Sequence, residues 1–235
     1  MEQYFAEFFG TFLLCVVGNA AVAGVVLNKN KSQNAGWWVI AGCWGLALMF
    51  VVLWAGPISG AHVNPAVTIA LAVTGKFAWN LVPGYIIAQT LGGLVSGIIV
   101  WLAFLPHWAE TESKELKLAA FSTGPQIRNA GTNFLCEVIS TFILMTCIMI
   151  SVTSKMADGM SALFIGFLLW MVIAAFGGPT GTAVNPARDL GPRIAHAILP
   201  IAGKGGSDWG YAWIPVFGPI VGAILAALLF FGVLA

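Results

Sequence analysis

Six long apolar stretches, at about 4–27, 36–55, 80–105, 131–153, 159–177 and 211–235, constrain this chain more than any other feature. A bilayer core about 30 Å thick takes roughly 20 helical residues to cross, and each stretch meets that length. Lipid offers no hydrogen-bond partner, so the backbone of each must be satisfied within its own helix. Composition agrees. Of 235 residues 59% are hydrophobic and 8% charged, against about a quarter charged in soluble domains. The expected fold class is an all-α membrane protein with six transmembrane helices.

Several classes of function drop out at once. A net charge of +1, with its Lys and Arg scattered, leaves no basic face for nucleic acid. Cys15, Cys43, Cys136 and Cys147 lie in apolar runs without CxxC spacing or a nearby His cluster, so they are read as packing residues. No metal site and no cofactor is expected. Met1-Glu2-Gln3 lacks the basic region of a signal peptide, and the apolar run behind it is too long for one. The first span is expected to be retained.

Two further apolar stretches, about 64–74 and 185–199, are too short to cross. At about 1.5 Å per residue, an 11-residue helix covers roughly 16 Å, half the hydrocarbon core. Each is expected as a re-entrant half-helix, tolerable only where its free backbone ends face protein or a water-filled cavity. The chain also repeats itself. Ala6-Glu7-Phe8-Phe9-Gly10-Thr11 corresponds to Cys136-Glu137-Val138-Ile139-Ser140-Thr141, 130 positions on, and Gln89-Thr90-Leu91-Gly92 corresponds to Pro219-Ile220-Val221-Gly222 at the same offset. Val63-Asn64-Pro65-Ala66 corresponds to Val184-Asn185-Pro186-Ala187, 121 positions on, because the first half has a longer early loop. The halves are read as repeat 1 at about 1–105 and repeat 2 at about 131–235, joined by a polar linker at about 106–130, in one domain over 1–235. Three spans per repeat is odd, so the second copy enters from the opposite side. Such an inverted 3+3 repeat places its site at the midplane, between the copies.

The two Asn-Pro-Ala triplets, Asn64-Pro65-Ala66 and Asn185-Pro186-Ala187, each enter a half-helix from a short loop. Asn caps a helix start, and Pro suits the first helical position, where an N–H would have no partner. Two opposed helix starts each bring roughly half a positive charge toward the midplane, which disfavours cations. On these triplets and the repeat, the chain resembles the aquaporin family, and its glycerol-conducting branch in particular. The resemblance implies an aquaporin-like fold whose loops run extended, with the carbonyls of Gly60, Ala61, His62, Gly181, Thr182 and Ala183 forming a ladder of acceptors along a pore. It also implies that Glu7 and Glu137 support those loops by accepting backbone N–H bonds. Arg188 follows the second triplet at a depth where an unpaired charge is expensive, so it is expected to face the pore. An ion pair with Asp189 is the alternative.

By spacing from the triplets, the family's selectivity constriction falls on Trp44, Ile173, Thr182 and Arg188, with Ala174 in place of Ile173 if the fifth span shifts by one. The water-selective branch usually carries a histidine at the Ile173 position. Asp189, Arg193, Pro215 and Val216 resemble the glycerol branch, whereas Thr182 stands where that branch commonly has an aromatic. The expected function is a passive channel for glycerol, water and other small uncharged solutes such as dihydroxyacetone or neutral lactic acid, excluding protons and ions. The alternative is an aquaporin conducting mainly water or hydrogen peroxide. A coupled transporter would need midplane carboxylates free of structural duty, and no nucleophile–base pair suggests an enzyme. The resemblance further implies a homotetramer in the plasma membrane with both termini cytoplasmic. Charge does not support that orientation, since the loops placed inside hold only Lys76 and Lys155.

Overall fold

The structure, a computed structural model, describes residues 1–234. Ten α-helices are formed among the described residues: α1 (Glu2–Val26), α2 (Trp37–Ser59), α3 (Pro65–Val73), α4 (Val82–Ala103), α5 (His107–Glu110), α6 (Lys114–Ala119), α7 (Ala130–Thr153), α8 (Met160–Thr180), α9 (Pro186–Ile198) and α10 (Trp213–Leu229). A 3-10 turn at Trp79–Leu81 leads into α4, and a π-helical turn at Phe230–Leu234 closes α10. Residue 235, the last of the expected sixth span, lies outside the described residues. Six of the helices are long and apolar enough to cross a membrane. The short α3 and α9 are the half-helices.

Two expected spans stop too early. Expected to end at 55 and 177, α2 continues through Pro57 to Ser59 and α8 through Pro179 to Thr180. Both prolines sit in a final turn. Each helix is then closed by a left-handed glycine: Gly60 (φ 84°) donates its N–H to Gly56 and Gly181 (φ 86°) to Gly177. Only glycine takes that conformation without a Cβ penalty.

Packing follows the repeat. α1 lies on α4 as α7 lies on α10, α2 meets α8 across the seam, and each half-helix packs on the other repeat, α3 on α10 and α9 on α4. A Cβ at Gly92 would stand 2.3 Å from the Phe8 carbonyl, and one at Gly222 would stand 2.3 Å from the Val138 carbonyl. Both pairs are 130 positions apart, so the same close approach is made twice. Gly45 and Gly166 do the same for α2 and α8, where an added Cβ would meet the partner glycine's carbonyl at 2.6 and 2.8 Å. Small residues let helix backbones touch where lipid supplies no hydrophobic drive. The connection over 106–130 is not a solvated loop, because Trp108, Lys117, Phe121 and Thr123 are buried in it.

Candidate functional site

The half-helix starts meet at the centre. Asn64 caps α3 by accepting the Ala66 N–H at 2.9 Å, and Asn185 caps α9 by accepting those of Ala187 and Arg188 at 3.0 and 3.2 Å. Each amide then reaches across the repeats: Asn64 Nδ2 donates to the Val184 carbonyl and Asn185 Nδ2 to the Val63 carbonyl, both at 2.8 Å. A carboxamide carries two N–H donors. One on each side is therefore spent fixing the tips together, and the second takes no part in that bond.

The loops before the caps are held from behind. Glu7 accepts the N–H groups of His62 (2.9 Å) and Val63 (2.6 Å), the Ser59 hydroxyl and the Gln89 amide. Glu137 accepts the N–H groups of Ala183 and Val184, both at 3.0 Å, and the Thr180 hydroxyl. The Ala61 and Thr182 N–H groups turn back to Ser59 and Thr180. In a trans peptide the C=O points opposite the N–H. With the N–H of each following residue, Ala61 to Val63 and Thr182 to Val184, turned to this backing, the carbonyls of Gly60, Ala61, His62, Gly181, Thr182 and Ala183 point away from it. The expectation of extended loops is corrected here. Ala61, Val63, Thr182 and Val184 have φ between 41° and 48°, and this left-handed alternation is what turns successive N–H groups to one side. Such residues are strained, and the glutamate bonds hold them.

A cavity of about 590 Å³ runs past these loops. Gly60, Ala61, His62, Asn64, Thr182, Ala183 and Asn185 line it, together with Trp44, Ile173 and Arg188. Gly181, Pro65, Ala66, Pro186 and Ala187 lie behind the lining. Trp44, Ile173, Thr182 and Arg188 thus line one cavity, whereas Ala174 is outside that lining and packs against the hydrophobic cluster that contains Trp44 and Ile173. The Arg188 guanidinium sits over the Trp44 ring, 4.3 Å from its centroid. Its Nη1 is buried with no hydrogen-bond partner among the described residues, and so is Thr182 Oγ1. His62 bonds Thr68 Oγ1 at 3.2 Å and packs on Phe77 and Tyr85.

Asp189 does not pair with Arg188. It pairs with Arg193 at 2.8 Å, both fully buried, and accepts the N–H and hydroxyl of Thr123 at 2.7 and 2.6 Å. Arg193 also donates to the carbonyls of Thr123 and Ser207. Asp189, Arg193, Pro215 and Val216 stand outside the lining.

The model of the family described as major intrinsic protein matches residues 1–230. The chain belongs to that family. As a major intrinsic protein it is a membrane protein of a channel and facilitator family. It is 54% identical over 230 residues to a probable glycerol uptake facilitator protein of Thermotoga maritima, covering 98% of both chains. It is 48% identical over 222 residues to the glycerol uptake facilitator protein of Bacillus subtilis, covering 94% of this chain and 81% of that one. The X-ray structure of the aquaglyceroporin from Plasmodium falciparum superposes with a TM-score of 0.86 at 28% identity, covering 100% of this chain and 96% of that one.

This major intrinsic protein also uses residues that sequence reasoning passed over. Gln89 bonds both Glu7 and Thr68, and its place in the repeated Gln89-Thr90-Leu91-Gly92 segment was the available signal. Trp37 donates its indole N–H to the Ile173 carbonyl at 2.8 Å, and Thr123 buttresses Asp189 from the connection between repeats. Neither contact has a local signature.

Proposed function

We propose that the protein is a passive channel for glycerol, other small uncharged solutes and water, that it excludes protons and ions, and that it is not an enzyme. The observation that carries this is that Trp44, Ile173, Thr182 and Arg188 line one cavity, with the guanidinium over the indole. Arg188 offers unpaired donors beside an apolar indole and an isoleucine, so a linear polyol can lay its carbon face on one side and its hydroxyls on the other. The carbonyl ladder then takes over as acceptor while Asn64 and Asn185 donate. A water-selective pore has less use for the apolar half. The relatives named as glycerol uptake facilitators support the same choice over a pore mainly for water or hydrogen peroxide.

Charge exclusion has a matching basis. Arg193 is neutralised by Asp189, and Glu7 and Glu137 are enclosed by N–H and hydroxyl donors, so Arg188 is left as the unneutralised charge at the cavity wall. Two helix starts add their positive ends at the midplane. With Thr182 in place of a second aromatic, the aperture also admits solutes such as dihydroxyacetone and neutral lactic acid. The chain works as a single channel unit in the plasma membrane, with both termini cytoplasmic, as one subunit of a homotetramer.

The test is a permeability series in proteoliposomes, over water, glycerol, dihydroxyacetone and polyols of rising width. Glycerol and dihydroxyacetone should pass and wider polyols should be cut off. Water passage without glycerol passage would remove the glycerol assignment.

A further inference from the structure

The Trp44 indole rests on α1 at Gly18. Gly18 lies in the interior of α1, where a glycine is a poor helix former. A Cβ there would stand 2.1 Å from Trp44 Cδ2, 2.1 Å from Cε2 and 2.4 Å from Cε3. Cδ2 and Cε2 are the fusion carbons of the indole, and both can be approached that closely only through the face of the ring. Gly18 therefore backs the ring, and Trp44 is left 3% exposed.

The repeat supplies a control. The offset of 130 takes Gly18 to Ile148, and the offset of 121 takes Trp44 to Ile165. Ile148 and Ile165 both line the cavity and belong to one hydrophobic cluster. Where the second repeat has no indole, it has no glycine either.

We propose that Gly18 is a positioning residue for solute selection: having no side chain, it seats the Trp44 ring against α1 and so sets the aperture between Trp44, Ile173 and Arg188. The proposal rests on the assignment of those residues to the constriction. A methyl group at 18 drives the ring off α1 and toward the space it shares with the Arg188 guanidinium, 4.3 Å from the ring centroid. The aperture narrows for glycerol more than for water.

Gly18→Ala, Trp44→Ala and the double variant are compared with the parent in proteoliposomes. The glycerol-to-water permeability ratio is the readout, because it does not depend on how many channels are present. Gly18→Ala should lower the ratio at least about fivefold and lower the size cutoff, since a narrow pore discriminates by fit. On the Trp44→Ala background the same change should move the ratio by less than about twofold, because no ring remains to displace. An unchanged ratio in Gly18→Ala, or an equal fall on the Trp44→Ala background, overturns the proposal while leaving the constriction assignment intact. If Trp44→Ala itself keeps the parental ratio and cutoff, the constriction assignment fails and the proposal falls with it. Should Gly18→Ala not accumulate in membranes, the double variant decides. Recovery of accumulation with the Trp44→Ala ratio supports the role of the ring, and continued absence refutes it.

Discussion

The loops leading into α3 and α9 share one plan and differ in what stands behind them. In both, a buried glutamate gathers two successive N–H groups and a hydroxyl, and an asparagine amide crosses to a carbonyl of the other loop. Behind the first loop Glu7 also holds Gln89, and α3 carries no charge. In α9 the positions matching Val67, Thr68 and Ala72 are Arg188, Asp189 and Arg193. What the repeats share makes the scaffold and the acceptor ladder. What the second alone carries is one free cation beside a neutralised buried pair. Selectivity is therefore expected from the departures from symmetry.

The sharpest contrast between the half-helices should come from the pair that only α9 possesses. Asp189→Ala leaves Arg193 buried without its carboxylate, and breaking a buried ion pair from one side costs about 3–5 kcal/mol. Thr68→Ala, at the matching position of α3, should cost no more than about 1–3 kcal/mol, the range for stranding a neutral partner. Thermal unfolding in detergent compares them. Equal midpoints would mean that the two half-helices do not differ in the way described.

The glutamates sharpen the shared half of the plan. Each donor left buried and unsatisfied costs about 1–3 kcal/mol, and Glu7→Ala strands four donors where Glu137→Ala strands three. Both should unfold earlier than the parent, with Glu7→Ala the lower. The reverse order would show that the second loop depends on its glutamate more, despite the Asp189–Thr123 buttress.

How much of this was legible depends on the range of the interaction. The spans and half-helices follow from lengths of apolar sequence against bilayer thickness, and the Asn-Pro-Ala triplets announce their own capping. The second and fifth helices run past their expected ends at 55 and 177 because a proline in a last turn does not end a helix. The crossing amide bonds join residues 120 and 122 positions apart, so no window of sequence contains them. Thr123 was hidden because nothing in a polar linker shows that it folds back onto Asp189, 66 positions on. Between Ile173 and Ala174 spacing alone does not choose; Ile173 lines the cavity and Ala174 does not.

Arg188→Val copies the first half-helix onto the second and removes the free cation. The expected result is a looser solute cutoff and a cation leak, with permeability to a bulkier polyol rising about tenfold, equivalent to about 1.4 kcal/mol of barrier. A well-assembled variant with unchanged selectivity would make Arg188 part of the scaffold. Smaller shifts are expected from the lining. Thr182→Phe should lower the size cutoff by narrowing the wall, and Ile173→His should raise the water-to-glycerol ratio by adding a polar partner, each by about threefold, or about 0.7 kcal/mol of barrier. No change in either would move the constriction away from these positions.

The central claim is that one pore passes an uncharged polyol and refuses protons. It is tested most directly by stopped-flow light scattering of parental proteoliposomes under a glycerol gradient, with an entrapped pH dye read under a matched proton gradient. Fast glycerol entry, with proton flux no greater than in protein-free vesicles, is the predicted result. Glycerol entry at the protein-free rate, or proton flux that rises with channel density, would contradict it.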